Sequence, residues 1–294
     1  MSEALQYLLD AINVGGLYAL MALGIGLIFG IMRLINFAHG ELVMAGAYAM
    51  WLLIDLPGPL VIIFAIAAVM LLALAVERAA FRPLREATPA TLLVASFAVS
   101  YFLQNLTVML FGARPKPFAF AAQLADNLLI GGFRVPALQI VSLVLIIAAL
   151  LILILLLKRT AIGVQLRAAA QDPTAARLSG VRVNRVIGFA FAVSGALAWI
   201  VSLIYAAQIG QLSPNMGVRP VVIGFVATIL GGLGSLSGAA LGGFVVGAIA
   251  VGLEAVLASD LRPFKEAFLF GLVLFVLLLR PQGIVATAAL RERV

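Results

Sequence analysis

From Val135 to Leu157 the chain runs for twenty-three residues without a charged side chain, and from Leu143 onward every residue in that run is apolar. A helix needs about 20 such residues to cross the hydrocarbon of a bilayer. The run is not isolated, since 64% of the 294 residues are hydrophobic and 11% charged, with a mean hydropathy of +1.20. Water-soluble domains are nearer ~45–50% apolar and ~25% charged, so the solvent for most of this chain is lipid. Lipid offers the backbone no hydrogen bonds, which leaves helices or a closed barrel. Barrel strands alternate apolar and polar residues. The unbroken apolar run therefore selects helices.

The other charge-free stretches divide the chain into further crossings. Ala11 to Met32, Leu56 to Val76, Ala87 to Ala113 and Val186 to Val218 are each long enough, the last ending its crossing near Gln208. Leu42 to Ile54 and Ala267 to Leu279 have only thirteen residues each, so those crossings must recruit Glu41, and Lys265 with Glu266. Pro220 to Leu253 has thirty-four, interrupted by GGLGSLSG at Gly231 to Gly238, which gives a short or re-entrant piece followed by a full helix. The expectation is a single all-α polytopic membrane domain over 1–294, with about nine membrane segments, some of them broken or re-entrant.

The net charge of +7 raises the question of nucleic acid. The basic residues, however, lie in short loops between apolar runs, where the positive-inside rule explains them. Arg78, Arg82 and Arg85 share one loop, six basic residues lie in Lys158 to Arg185, and Arg280, Arg291 and Arg293 stand near the C-terminal end. Alternating crossings put all three on one side, the cytoplasm, with the N-terminus outside and the C-terminus inside. Arg114, Lys116 and Arg134 fall outside and are the exception. MSEALQYLLD has no Lys or Arg and so lacks the basic start of a cleavable signal peptide. With no Cys, disulfides, thiolate chemistry and Cys-based metal sites are excluded, and with one His an intramembrane enzyme is a poor reading, so no catalytic residue, metal or cofactor is expected.

The longest polar interruption is Lys158 to Arg185, with Asp172 its one acid. Asp172 is a good N-cap, Pro173 suits the first helical position, and Gly180 is placed to end a short helix. Exposed Arg177 and Arg182 can meet an acidic protein surface or anionic lipid. Small Ala175 and Ala176 leave a low face able to enter a groove, which favours docking to a soluble partner.

Two stretches are candidates for a permeation path. RLINFAHGE brings Arg33, Asn36, His39 and Glu41 together between apolar helices, and ionisable groups at membrane depth usually face an aqueous cavity or a partner. The same residues also fit an interfacial turn, with Arg33 snorkelling and Glu41 near a helix start. His39, with a reference pKa of ~6.5, fits a proton relay or a structural role. TILGGLGSLSG from Thr228 lacks the Gly-Lys-Ser/Thr ending of a phosphate loop. Gly231, Gly232 and Gly234 then serve close packing or line the path. Glu254 pairs with a basic group or approaches the outer interface, and Gln208, Gln211 and Asn215 are solvated. HGELVMAGAYAMWLL from His39 and SGAALGGFVVGAIAV from Ser237 are alike, each a Gly-bearing helix after a break. That likeness fits an internal two-fold repeat or merely the similarity of Gly-spaced helices.

GGLYALMALGIGLIFGIMRLINFAHGE, AAAQDPTAARLSGVRVNRVIGFAF, ILGGLGSLSGAALGG and LRPQGI, in this order, resemble the permeases of bacterial branched-chain amino-acid ABC importers, the LivH type. The resemblance implies a second homologous permease subunit, two cytoplasmic ATPase subunits, an outer solute-binding protein and an inner-membrane location. Asp172, Ala175, Ala176 and Gly180 would then form the coupling helix, with the exposed Arg177 added from the reading of the loop itself, although Gln-Asp-Pro stands where an acidic residue followed by a small or charged one is common. Asn36, His39 and Glu41 match the signature without being assigned to substrate. The substrate implied is a branched-chain amino acid; urea, amides and small organic acids are the alternatives within the class. Outside it, an ion-coupled secondary transporter or channel would use His39 or Glu41 and no ATPase.

Overall fold

The computed structural model describes residues 2–118, 120, 127–130 and 133–285, with side chains from residue 6 and not for 127–130 or 133–135. Arg291 and Arg293 lie outside the described residues, as does part of the 112–136 stretch and the side chain of Arg134. Eleven α-helices are described: α1 (Ser2–Met32), α2 (His39–Leu52), α3 (Gly58–Val76), α4 (Pro89–Phe111), α5 (Ala137–Arg159), α6 (Ala161–Gln171), α7 (Pro173–Leu178), α8 (Val183–Ile209), α9 (Val218–Gly231), α10 (Leu236–Val256) and α11 (Lys265–Leu279). A π-helical turn at Glu77–Phe81 continues α3, and a 3₁₀ turn at Ser259–Phe264 precedes α11. Six helices, namely α1, α3, α4, α5, α8 and α10, are long and apolar enough to cross a membrane.

Local chemistry sets the helix ends. Thr88, Thr160, Asp172 and Ser235 each accept a hydrogen bond from a backbone N–H of the first turn that follows, giving orphan donors a partner. Gly210 ends α8 in the left-handed conformation, with φ 72°. The two thirteen-residue charge-free stretches extend into charge, α2 containing Glu41 and α11 beginning with Lys265 and Glu266, and neither is among the six helices long and apolar enough to cross a membrane. The Pro220 to Leu253 stretch divides into α9 and α10 around the Gly-rich turn.

The strands and α6 are absent from the sequence-based expectation. β1 (Lys116–Pro117) pairs antiparallel with β4 (Gln211–Leu212), and β2 (Asn127–Ile130) with β3 (Phe133–Pro136). These pairs are too short for any alternating pattern to register. Helix α6 hides in the polar stretch because only Gly163, Leu166 and Ala169 are buried, a one-sided stripe among polar residues.

At the centre stand α1 and α8, buried along most of their lengths, whereas α4 is exposed over most of its own. Leu71, Val94, Tyr101, Phe102, Met109, Leu151 and Ile152 on α3, α4 and α5 are all exposed. An apolar girdle of that extent requires lipid or another membrane subunit against it. α10 lies close along α1, because any Cβ on Gly243 or Gly247 would fall onto the backbone of Ala19 or Gly15.

Contacts sort the helix ends into two groups. At one, Arg85 beyond α3 bonds Asn184 at the start of α8, and the chain after α11 bonds back to α9 through Ile284 N to Leu230 O, 2.8 Å. This basic end also gathers Arg33, Lys158 and Arg167 around one cavity. At the other, Asn13 of α1 bonds the Gln139 carbonyl of α5, Lys116 lies 4.5 Å over the Trp51 ring, and Glu254 of α10 bonds Lys265 of α11 at 2.6 Å. Glu254 thus pairs with a cation while its side chain stays 60% exposed.

Candidate translocation site

The link Arg33 to Ala38 begins with a non-glycine residue in the left-handed region, Arg33 at φ 54°. It folds back along α1, so that α2 starts beside Gly24, eight residues before the end of α1: a Cβ on Gly24 would run into the His39 ring. The first turn of α2 crosses the start of α9 at Gly40 and Gly217. The approach is so close that a Cβ on either glycine would meet the other's carbonyl. Two short helices of 14 residues each thus start against one another between α1 and α8. Their free N–H ends bring two partial positive charges to the same place. Phe37 fixes the link, stacking 4.3 Å from Phe97 of α4 and standing 5.5 Å from Phe225 of α9.

Asn36, His39 and Glu41 are all buried. Glu41 Oε1 accepts from Ser100 Oγ at 2.8 Å and from Gln104 Nε2 at 2.7 Å, both on α4. Ser194 Oγ of α8 lies 3.1 Å from the Gly24 carbonyl and 3.0 Å from His39 Nδ1. One hydroxyl proton serves one acceptor. With that proton on the Gly24 carbonyl, Nδ1–H donates to Ser194 and Nε2 is left with a bare lone pair.

Buried polar atoms without a protein partner concentrate here. Among the described residues they are Asn13 Oδ1, Asn36 Oδ1, His39 Nε2, Glu41 Oε2, Tyr48 Oη, Arg85 Nε, Trp199 Nε1 and Ser202 Oγ. Six of these eight belong to α2, to its entry, or to the face of α8 on which Gly46 of α2 rests. Native interiors satisfy nearly all buried polar groups, so such a concentration needs a cause.

The Gly-rich turn lies apart from this cluster, at the basic end. Gly231 packs on Gly238, and Gly232, at φ 109°, packs on the carbonyls of Gln282 and Val285. Gly234, at φ 89°, faces Arg33. Gln208, Gln211 and Asn215 are exposed, with Gln211 in β4. Ser100, Gln104 and Ser194 are the partners that sequence reading missed. The available signal was the polar spacing Ser96, Ser100, Gln104, Thr107 on an apolar helix, which forms one stripe.

Around α7, Asp172 Oδ1 accepts from Thr174 N at 2.8 Å and Ala175 N at 3.0 Å, and Gly180 follows the helix at φ 84°. Ala176 is buried against the protein, so the outward face presents Ala175, Arg177 and Leu178, the last 87% exposed. No group of three or more His, Cys, Asp or Glu able to hold a metal occurs among the described residues.

Comparison with known proteins adds the family. The profile of a family described as "Branched-chain amino acid transport system / permease component" matches residues 7–278. The chain is 33% identical to the high-affinity branched-chain amino acid transport system permease protein BraD of Pseudomonas aeruginosa, over 95% of each chain. It is 30% identical to the LivH permease protein of Escherichia coli K12, over 95% of this chain and 94% of that one. A partial likeness, 32% over 45% of this chain and 38% of the other, reaches the fructose import permease protein FrcC of Rhizobium meliloti. With a profile match along nearly its whole length and full-length likeness to BraD and LivH, the chain belongs to the family of branched-chain amino-acid transport permease components.

Proposed function

We propose that this chain is the membrane-spanning subunit of an ATP-driven importer that carries branched-chain amino acids into the cytoplasm, and that solute passes alongside α2. The observation that carries this reading is the group of six buried, partnerless polar atoms around α2, beside the facing N-termini of α2 and α9. An amino acid brings a carboxylate, suited to helix N-termini, and an ammonium, suited to Glu41 Oε2. Asn36 and His39 complete the polar lining. Gly231, Gly232 and Gly234 then act at the basic end of the path, where the Gly-rich turn holds the segment after α11.

The driving element is α7. Asp172 caps it, Ala175 and Arg177 face outward, Ala176 holds it to the protein, and Gly180 returns the chain towards α8. Seated in a groove of a cytoplasmic ATPase, it transmits the closing of two such subunits to α8. A second permease subunit covers part of the apolar girdle, and an outer solute-binding protein delivers the substrate.

The grouping of helix ends supports nine crossings, with α2, α9 and α11 added to the six long helices. The N-terminus is then outside, and the basic end is cytoplasmic in the inner membrane. This topology also supports an inverted repeat with α1, α2 and α3 answering to α8, α9 and α10, because Gly40 and Gly217 each lie at the start of the 14-residue helix that follows a long central one. The pairing differs from the likeness of α2 to α10 drawn from sequence.

Co-purification and uptake test the reading together. A tagged chain brings down an ATPase subunit, and Asp172→Lys or Gly180→Trp abolishes labelled leucine uptake while the protein remains in the membrane. Uptake that needs no ATPase and survives both substitutions would point to an ion-coupled carrier instead. ATPase-dependent uptake of urea or an amide but not leucine would keep the class and change the substrate.

A further inference from the structure

A cavity of about 700 Å³ opens at the basic end, away from the polar atoms around α2. Its floor is α1, at Gly26, Leu27, Gly30 and Ile31, and its walls are α5 with α6 on one side and the start of α10 on the other. Arg33, Lys158 and Arg167 stand in its lining, and among the described residues no carboxylate does. Arg33 takes up its place through the unfavourable left-handed backbone and lies 5.9 Å over the Phe29 ring. A strained residue persists only where its surroundings hold it, and such strain gathers at binding sites. Arg167 donates to the Leu157 carbonyl, which ties α6 back to the end of α5.

The charges are confined to one level. Arg33 and Lys158 mark the helix ends, whereas Gly26 lies seven residues deeper on α1, about 10 Å by helical rise. Apart from these charges, Gln171 and Ser237, the lining is apolar or glycine, with Leu27, Gly30 and Ile31 of α1 between the two levels and Leu157, Leu166 and Leu236 around them. Three cations above an apolar slot match an amphiphile with a negative head, and basic pockets between membrane helices bind such heads. A soluble anion would leave the slot unfilled.

We infer that this cavity is a binding site for an anionic glycerophospholipid, its phosphodiester held by Arg33, Lys158 and Arg167 and its first acyl carbons lying along Gly26, Gly30 and Leu236. The site lies at the basic end, where Gly234 of the proposed path also lines it, and does not depend on which solute is carried. An occupied site braces α6, and through it α7, against α1.

The full-length protein, reconstituted in bilayers containing phosphatidylglycerol and phosphatidylcholine and then extracted, is weighed intact with its retained lipid. Wild type is expected to keep phosphatidylglycerol in preference. Lys158→Gln with Arg167→Gln leaves strained Arg33 untouched and lowers that retention by roughly fivefold for each charge removed. Gly30→Phe fills the slot without altering charge; a Cβ at Gly30 meets nothing within 4 Å, so the backbone tolerates it. Retention falls in this variant too, while Arg262→Gln, in the 3₁₀ turn at the other group of helix ends, changes nothing. Equal retention of the two lipids by wild type, or unchanged retention in both cavity variants, overturns the assignment. So does calorimetric binding of inorganic phosphate to the lipid-free protein that is lost in the double variant, since that would give the site to a soluble anion.

Discussion

Glu41 receives two hydrogen bonds on one oxygen and none on the other, an asymmetry that a bound ammonium would complete. Glu41→Gln keeps the shape and removes the charge. A hydrogen bond to a charged group contributes about 1.5–3 kcal/mol, so the apparent affinity for leucine is expected to fall by ~10–100-fold while the amount of protein in the membrane is unchanged. Uptake kinetics at several leucine concentrations check this, and an unaltered half-saturation concentration would remove Glu41 from the path. Gly40 and Gly217 carry a different load, since each makes room for the other's carbonyl. Gly217→Ala forces α2 and α9 apart and should destabilise by about 1–3 kcal/mol, as overpacking does. A lowered thermal transition of the purified protein is the readout.

Among the elements, the link between α3 and α4 is tied to α8 by Arg85, which pairs with Glu77 of the π-helical turn and bonds Asn184. Both members of the ion pair are largely buried. Arg85→Ala leaves Glu77 unpaired, at an expected loss of about 3–5 kcal/mol, whereas Arg85→Met with Glu77→Met recovers most of it. Yield and thermal stability of the two variants in detergent measure the difference. Because Asn184 closely follows α7, the same tie lies on the route from the proposed coupling element to the central helix. The capped start of α7 was legible in the sequence, since Asp-Pro and a later glycine act on the nearest few peptide groups. The partners of Arg85 were not, because residues 85 and 184 are joined only by folding.

For the whole molecule, the two groups of helix ends predict sidedness, and the chain's lack of cysteine makes the test clean. Ser179→Cys, after α7, should react with a membrane-impermeant maleimide only when the membrane is opened, and Gln211→Cys, in β4, should react in intact cells. Reversed labelling would invert the orientation.

The sequence by itself determined that the chain is helical and membrane-spanning, where its helices break, and which loop carries a capped surface helix. These are local matters: a backbone in lipid must satisfy itself, and caps and glycines act within a few residues. Only the tertiary structure decided that α1 and α8 are central, that α2 and α9 start against each other, that Glu41 finds Ser100 and Gln104, and that three basic residues surround one cavity. Helices apolar on every side carry no stripe to say which face turns inward. Their arrangement follows from small residues meeting across the fold, at Gly40 with Gly217 and Gly243 with Ala19, and such complementarity exists only between segments far apart in the chain.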